Sequence, residues 1–129
     1  MWIEREVPSL ELCKRLKELG YPQSEGWYWE VYRSGKKLLV YYSEFRGISK
    51  YHPGTHPEKI IKAPTVRELG EWLPSDYRLD FLKFTNEFQI SFIAKNGHIC
   101  RDTTEANVRA KMLIWLLENG YVKFPEEKN

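Results

Sequence analysis

Histidine and cysteine side chains are the best candidates in this sequence for binding a metal ion or acting as nucleophiles. His52 and His56 are four residues apart, and one residue separates His98 from Cys100. Together these four could supply the nitrogen and sulfur ligands that Zn²⁺ prefers. The prolines and glycine within 53–57 exclude a helix that would place both histidines on one face. Because the set also lacks an established zinc signature, we expect no metal site and no cofactor.

Cys100 and His98 could also act as a nucleophile and its base, because side chains two residues apart on a strand point the same way. In the alternative interpretation, which we favour, Cys100 and Cys13 are free thiols that pack as small apolar side chains. The sequence contains no Gly-x-Ser-x-Gly, no glycine-rich phosphate loop and no His-Glu-x-x-His. We therefore predict no catalytic residue, and an enzyme of unrecognised type is the least favoured hypothesis.

Positive charge is concentrated in residues 33–62, which hold seven basic and two acidic side chains, while the whole chain carries +2. Aromatic residues are interleaved there, and cations with aromatic rings contact phosphates and stack on unpaired bases. The sequence pI of about 8.5 is lower than that of strongly basic DNA-binding domains, so a simple solvated loop is the alternative. The candidate residues for binding nucleic acid or another partner are Arg33, Lys36, Lys37, Arg46, Lys50, Tyr51, Lys59 and Lys62.

A protein-binding surface is a further hypothesis, because tyrosine, tryptophan and arginine are frequent in the cores of interfaces. In the aromatic run that follows Gly26, Tyr28 and Tyr32 alternate with tryptophans and therefore share one face of a strand. That face could form an exposed patch. Alternatively, the tyrosines pair with Tyr41 across a hairpin.

The elements that must position these residues follow from apolar periodicity and from turn residues. Three helices are predicted, each starting at a residue that can accept hydrogen bonds from the first turn. Their boundary signals are Ser9 and Gly20 for the first, the capping-box pair Thr65 and Glu68 for the second, and Thr103 or Thr104 for the last.

Strands are predicted where apolar and polar residues alternate between turn signals. The predicted strands cover residues 27–32, 37–42, 77–84, 87–94 and 98–100, with shorter ones near 60–61 and at 121–124. Because they come in hairpins, we expect an α+β fold in which an antiparallel sheet of hairpins has helices packed on one face.

With 129 residues, the chain is expected to form a single domain covering 1–129. The charged first residues differ from a signal peptide, and no apolar run approaches the length of a membrane span. These features predict a cytoplasmic protein that does not associate with membranes, and they leave its oligomeric state open.

Three segments resemble a group of small proteins encoded by bacteriophages and prophages. They are Val7–Gly20 (VPSLELCKRLKELG), Ala63–Gly70 (APTVRELG) and Thr104–Glu118 (TEANVRAKMLIWLLE), about a third of the chain. The resemblance implies a mobile-element setting in a bacterial host, and it implies no activity and no functional residue.

We therefore expect a phage or prophage accessory protein that binds a macromolecular partner without covalent chemistry. Protein is favoured over nucleic acid as that partner. The second hypothesis is nucleic-acid binding through residues 33–62.

Overall fold

The computed structural model describes residues 3–43, 57–75, 78–93 and 97–125. Those residues contain helices α1 (Ile3–Glu6), α2 (Leu10–Glu18), α3 (Val66–Trp72) and α4 (Glu105–Glu118). They also contain strands β1 (Gly26–Val31), β2 (Lys37–Tyr42), β3 (Lys59–Lys62), β4 (Leu79–Lys83), β5 (Phe88–Phe92) and β6 (Ile99–Asp102). The α+β class with antiparallel strands is confirmed. The strands form two three-stranded sheets, ordered β2-β1-β3 and β4-β5-β6, whereas the sequence predicts one sheet.

The first sheet is built around the predicted hairpin of β1 and β2. The Tyr32 N–H donates to the Lys36 carbonyl at 2.9 Å, and Gly35 adopts a φ of 94° that glycine tolerates without strain. β3 forms at the predicted short strand and pairs with the other side of β1. Trp29 and Ile61 lie on the sheet face that packs against the region of α2, in a core that also contains Val7, Leu10, Cys13 and Ala63.

The second sheet is a meander whose central strand, β5, packs against α4. Ile90 and Phe92 are each 1% exposed and belong to the larger core. The partners of this core on α4 are Val108, Ala110, Met112, Leu113, Ile114 and Leu116. Thr104 is the N-cap of α4, since its hydroxyl accepts from the Asn107 N–H.

The α3 helix packs against α4 and begins with the predicted capping box. The Thr65 hydroxyl accepts from the Glu68 N–H, and the Glu68 carboxylate accepts from the Thr65 N–H. Leu69 is fully buried in the larger core. The two sheets are linked through the helices: α2 contacts β3 and α4, α3 contacts α4, and α4 packs on β5 and β6.

Residues 121–124 do not form the predicted edge strand. This segment is instead fixed by the Phe124 ring, whose centre lies 5.3 Å from that of Tyr21 and 4.7 Å from that of Trp72. Side-chain packing thus replaces a strand ladder at this end of the chain. No helix in the described ranges is long and apolar enough to cross a bilayer.

Candidate functional site

Apart from Lys62, the predicted basic residues that can be located form a cluster at one end of the first sheet. Lys37 and Lys59 both pair with Val31, one from each neighbouring strand. The Arg33 guanidinium lies 4.0 Å from the Glu58 carboxylate. The exposed members of this basic cluster are Arg33, Lys36, Lys37 and Lys59.

The prediction is wrong for Lys62, because its side chain is only 1% exposed and therefore cannot contact a phosphate or a partner. The remaining predicted members and two of the three histidines cannot be placed. Arg46, Lys50, Tyr51, His52 and His56 lie outside the described residues.

Lys62 is buried because strand pairing places it opposite Tyr28, inside the protein. Its ammonium group lies 3.0 Å from the Glu68 carboxylate, donates to the Glu25 carbonyl at 2.6 Å and lies 5.5 Å from the centre of the Tyr28 ring. Gly26 leaves room for it, since a Cβ at that position would collide with the ammonium nitrogen. Lys62 thus joins the first sheet to α3 and has a structural role.

The tyrosine patch predicted on β1 is not a surface either. Tyr28 is fully buried, and its hydroxyl donates to the Ser24 carbonyl at 2.5 Å. The hydroxyls of Tyr32 and Tyr42 donate to the buried Glu30 carboxylate at 2.7 and 2.8 Å. The hydrogen bond to Glu30 raises the pKa of Tyr32 to about 12. Tyr28, Tyr42 and Glu30 are thus inside the protein and Tyr32 is half-buried, so these tyrosines form no fully exposed face.

The pair of His98 and Cys100 lacks the properties of a base and its nucleophile. The His98 ring stacks on Trp115, with the ring centres 4.3 Å apart. Burial raises the pKa of Cys100 to about 11 and that of Cys13 to about 12, so both thiols are protonated at neutral pH. Among the described residues, no group of three or more His, Cys, Asp or Glu side chains is placed to hold a metal ion.

The open edge of the second sheet, strand β4, is the feature most suited to binding. At the two ends of the pairing between β4 and β5, the Phe84 N–H and the Arg78 carbonyl form hydrogen bonds to the residues that flank β5. Bonded groups alternate along an antiparallel strand, so even-numbered residues of β4 face β5. Within the described part of the chain, β4 pairs with β5 alone. The main-chain groups that point toward the open edge belong to Leu79, Phe81 and Lys83.

This edge is both exposed and apolar. Every residue from 80 to 86 is exposed, and the exposed fractions of Phe81, Leu82 and Phe84 are 45%, 43% and 46%. Sheet edges are normally short, charged, twisted away or covered, because free N–H and C=O groups invite pairing with another chain. β4 has part of this protection, because it is short and carries Asp80 and Lys83. Phe81 and Leu82 nevertheless stay exposed, and no described element covers the strand, which is typical of an interaction site.

A groove of about 250 Å³ runs beside β4, between its Phe81 face and the first turns of α4. The Arg109 guanidinium lies 5.3 Å from the centre of the Phe81 ring and pairs with the Glu105 carboxylate at 2.7 Å. The Lys83 ammonium lies 5.7 Å from the Phe88 ring centre, and no described carboxylate pairs with it. The groove therefore combines an apolar floor with one unpaired positive charge.

The opposite edge of the same sheet, β6, is better protected. Lys111 donates to the outward-facing Arg101 carbonyl at 3.1 Å and pairs with Asp102 at 2.8 Å. Ile99, whose N–H also faces outward, is 47% exposed and therefore resembles Phe81 in its position and exposure. It provides a matched control for experiments on β4.

The sequence predicted a strand over residues 77–84, but the open edge of that strand was not predicted. Leu79 and Phe81 share one face of β4, and only Leu79 is buried. One signal pointed to the difference: Phe81 and Leu82 are adjacent, so β4 is apolar on both faces. A sheet covered by a helix on one side cannot bury both.

No family model matches the chain, and neither a curated protein nor a solved structure matches it.

Proposed function

We propose that this protein acts by non-covalent binding to another protein, an extended segment of which adds to the second sheet as a fourth strand beside β4. The observation that carries the proposal is the open edge of β4, where the main-chain groups of Phe81 and Lys83 face outward beside exposed apolar side chains. A segment pairing there would gain main-chain hydrogen bonds and would bury apolar side chains, which is a recurring mode of peptide recognition.

Protein is favoured over nucleic acid because β4 presents complementary main-chain donors and acceptors, which only another polypeptide strand can match along its length. The apolar side chains at this edge add a contribution that depends on burial rather than on charge. Binding at β4 should therefore depend less on salt than binding of a nucleic acid to the basic cluster would.

The test is a comparison of two proline variants, because proline removes an N–H that faces outward without removing a bond to the neighbouring strand. Phe81→Pro blocks the β4 edge, and Ile99→Pro makes the matched change at the β6 edge. Both variants should keep the far-ultraviolet circular dichroism spectrum of the parent protein. Immobilised parent, Phe81→Pro and Ile99→Pro proteins are then exposed to bacterial lysate.

We expect a specific protein to be retained by the parent and by Ile99→Pro, and retained at least about tenfold less by Phe81→Pro, a loss of about 1.4 kcal/mol or more. Retention by Phe81→Pro at the parental level would contradict the proposal. So would a parent protein that captures nothing above the level of empty beads.

Nucleic-acid binding is the second candidate, and the basic cluster favours it. Four exposed cations share one end of the first sheet, with Glu58 as the nearby carboxylate. If each neutralised one phosphate, the affinity for single-stranded DNA would fall with a log–log salt slope of about −3. Anisotropy of a labelled oligonucleotide measures this slope. Equal affinity of the parent and a Lys36→Glu, Lys37→Glu variant would exclude the cluster. A Lys14→Glu, Lys123→Glu variant, which makes the same change in net charge outside the cluster, is the control.

We also propose that the protein belongs to a bacteriophage or prophage and acts in the cytoplasm of the bacterial host. The resemblance of its helical segments to phage-encoded proteins supports this setting. Neighbouring genes for replication, packaging or lysis would agree with it, and a locus of housekeeping genes in the host would contradict it.

A further inference from the structure

We infer that the strand added at β4 comes from a different protein and carries an acidic residue beside Lys83 and a large apolar residue beside Phe81. This inference rests on the proposed strand addition and specifies the chemistry of the partner. It follows from the charges around the groove and from the register that main-chain pairing imposes.

The side chains of Phe81 and Lys83 point to the same face, toward the groove next to α4. Glu105 does not neutralise Lys83, because its carboxylate accepts from Arg109 at 2.7 and 2.9 Å. Lys83 is exposed and has no carboxylate partner among the described residues. A strand residue directly opposite Lys83 would lie about 5 Å away, where an acidic side chain is favourable.

The residue opposite Phe81 would meet a different environment. There the exposed ring is covered on one side by the Arg109 guanidinium, 5.3 Å from the ring centre. An aromatic or aliphatic side chain in this position would bury the remaining ring surface and fill the groove. The two neighbouring positions on this face thus call for one acidic and one apolar side chain.

A second copy of the same strand does not fit this pattern. A closed two-fold dimer would pair β4 antiparallel with its copy. Because the main-chain groups of odd-numbered residues face outward, odd-numbered residues of one copy would pair with odd-numbered residues of the other. The nearby carboxylate of β4, Asp80, has an even number and points to the other face. No such register brings Asp80 opposite Lys83, so a second copy would not supply the acidic residue. The charge pattern therefore favours a different protein as the partner.

The test uses two synthetic peptides that differ at one position. The first has the core Glu-Val-Phe-Thr-Val, which in antiparallel pairing places glutamate opposite Lys83 and phenylalanine opposite Phe81. The second has the core Lys-Val-Phe-Thr-Val. Each core carries two threonines at either end, and binding is followed by the amide shifts of Phe81 and Lys83 up to millimolar peptide concentration.

We expect the glutamate peptide to bind about fivefold more tightly than the lysine peptide, as a cross-strand charge pair of this exposure allows. The preference should reverse in a Lys83→Glu variant and should decrease at high salt. Neither peptide should bind Phe81→Pro, while both should bind Ile99→Pro as they bind the parent.

The outcomes separate this inference from the function on which it rests. Equal binding of both peptides that is lost in Phe81→Pro would keep strand addition and overturn the acidic preference. A parent dimer that Phe81→Pro dissociates would keep strand addition and overturn the assignment to a different protein. If neither peptide changes the amide shifts of Phe81 and Lys83, and if Phe81→Pro also leaves capture from lysate unchanged, both proposals are wrong.

Discussion

The buried ion pair between Lys62 and Glu68 leads to an asymmetric prediction for protein stability. The ammonium and carboxylate groups are 3.0 Å apart, but the lysine side chain is 1% exposed and the glutamate side chain 32%. Replacing Glu68 by glutamine leaves a charged lysine buried, with the Glu25 carbonyl and the Tyr28 ring as its remaining neighbours. Replacing Lys62 by methionine leaves a carboxylate that water can reach.

The expected magnitudes follow from this difference. Breaking a buried ion pair by removing one partner costs about 3–5 kcal/mol, and the partial exposure of Glu68 places Glu68→Gln near the lower value, about 3 kcal/mol. Glutamine preserves the capping box, so that cost is not confounded by the loss of a cap. Lys62→Met should cost about 1 kcal/mol, because the remaining carboxylate is hydrated. The double variant should be about as stable as Lys62→Met.

Urea unfolding followed by tryptophan fluorescence measures these free energies, and the chain has five tryptophans for the signal. We expect Glu68→Gln to be less stable than Lys62→Met by about 2 kcal/mol, the difference between the two expected costs. A reversed order would refute it, as would a cost below about 1 kcal/mol for Glu68→Gln.

The remaining predictions concern the thiols, a helix cap and one carboxylate. Cys13 and Cys100 are 0% and 8% exposed, and burial raises their pKa values. Both thiols should therefore react with a thiol dye at pH 8 only after unfolding, and rapid labelling of the folded protein would contradict this. Thr104→Ala should lower the free energy of unfolding by about 1 kcal/mol in urea titrations, and an unchanged value would contradict its role as N-cap. Burial alone would raise the pKa of Asp102, but hydrogen bonds, above all from Lys111, lower it. Asp102 therefore stabilises the protein above its unfolded pKa, and this stabilisation is lost as the pH falls. Lys111→Met should make the loss of stability between pH 6 and pH 3 smaller, as measured by urea unfolding of both proteins across this range.

Local signals predicted most of the secondary structure. The turn at residues 33–36 fixed the first hairpin, and β2 has the predicted bounds, Lys37–Tyr42. The capping box at Thr65 began α3 where expected. These features depend on residues a few positions apart, so a single sequence contains the information needed. The sequence left the cap of α4 open between two threonines, and the structure selects Thr104.

The arrangement of the strands was not predictable in the same way. Division into two sheets depends on which strands pair over long distances, and apolar alternation does not specify the partner of a strand. Helix α1 was missed because four residues are too few to show a periodicity. The segment 121–124 has strand-like residues, yet packing of Phe124 between Tyr21 and Trp72 decides its conformation.

The candidate site was predicted only in part. The exposed basic cluster was identified from composition, but the burial of Lys62 depends on its cross-strand neighbour Tyr28 and on Glu68 from another element. The open edge at β4 was missed because Phe81 and Leu82 are residues that usually fill cores. Only the position of α4 over the rest of the sheet shows that these two are left uncovered.

The central claim, that the outward N–H groups of β4 are available for a partner strand, is tested most directly by amide hydrogen exchange of β4 alone and in complex. In the free protein, we predict that the amides of Phe81 and Lys83 exchange much faster than those of Leu82 and Phe84, which face β5. Addition of the bound partner or of the glutamate peptide should slow exchange at Phe81 and Lys83 specifically. Equal protection of all four amides in the free protein, or a complex that leaves Phe81 and Lys83 unprotected, would contradict the claim.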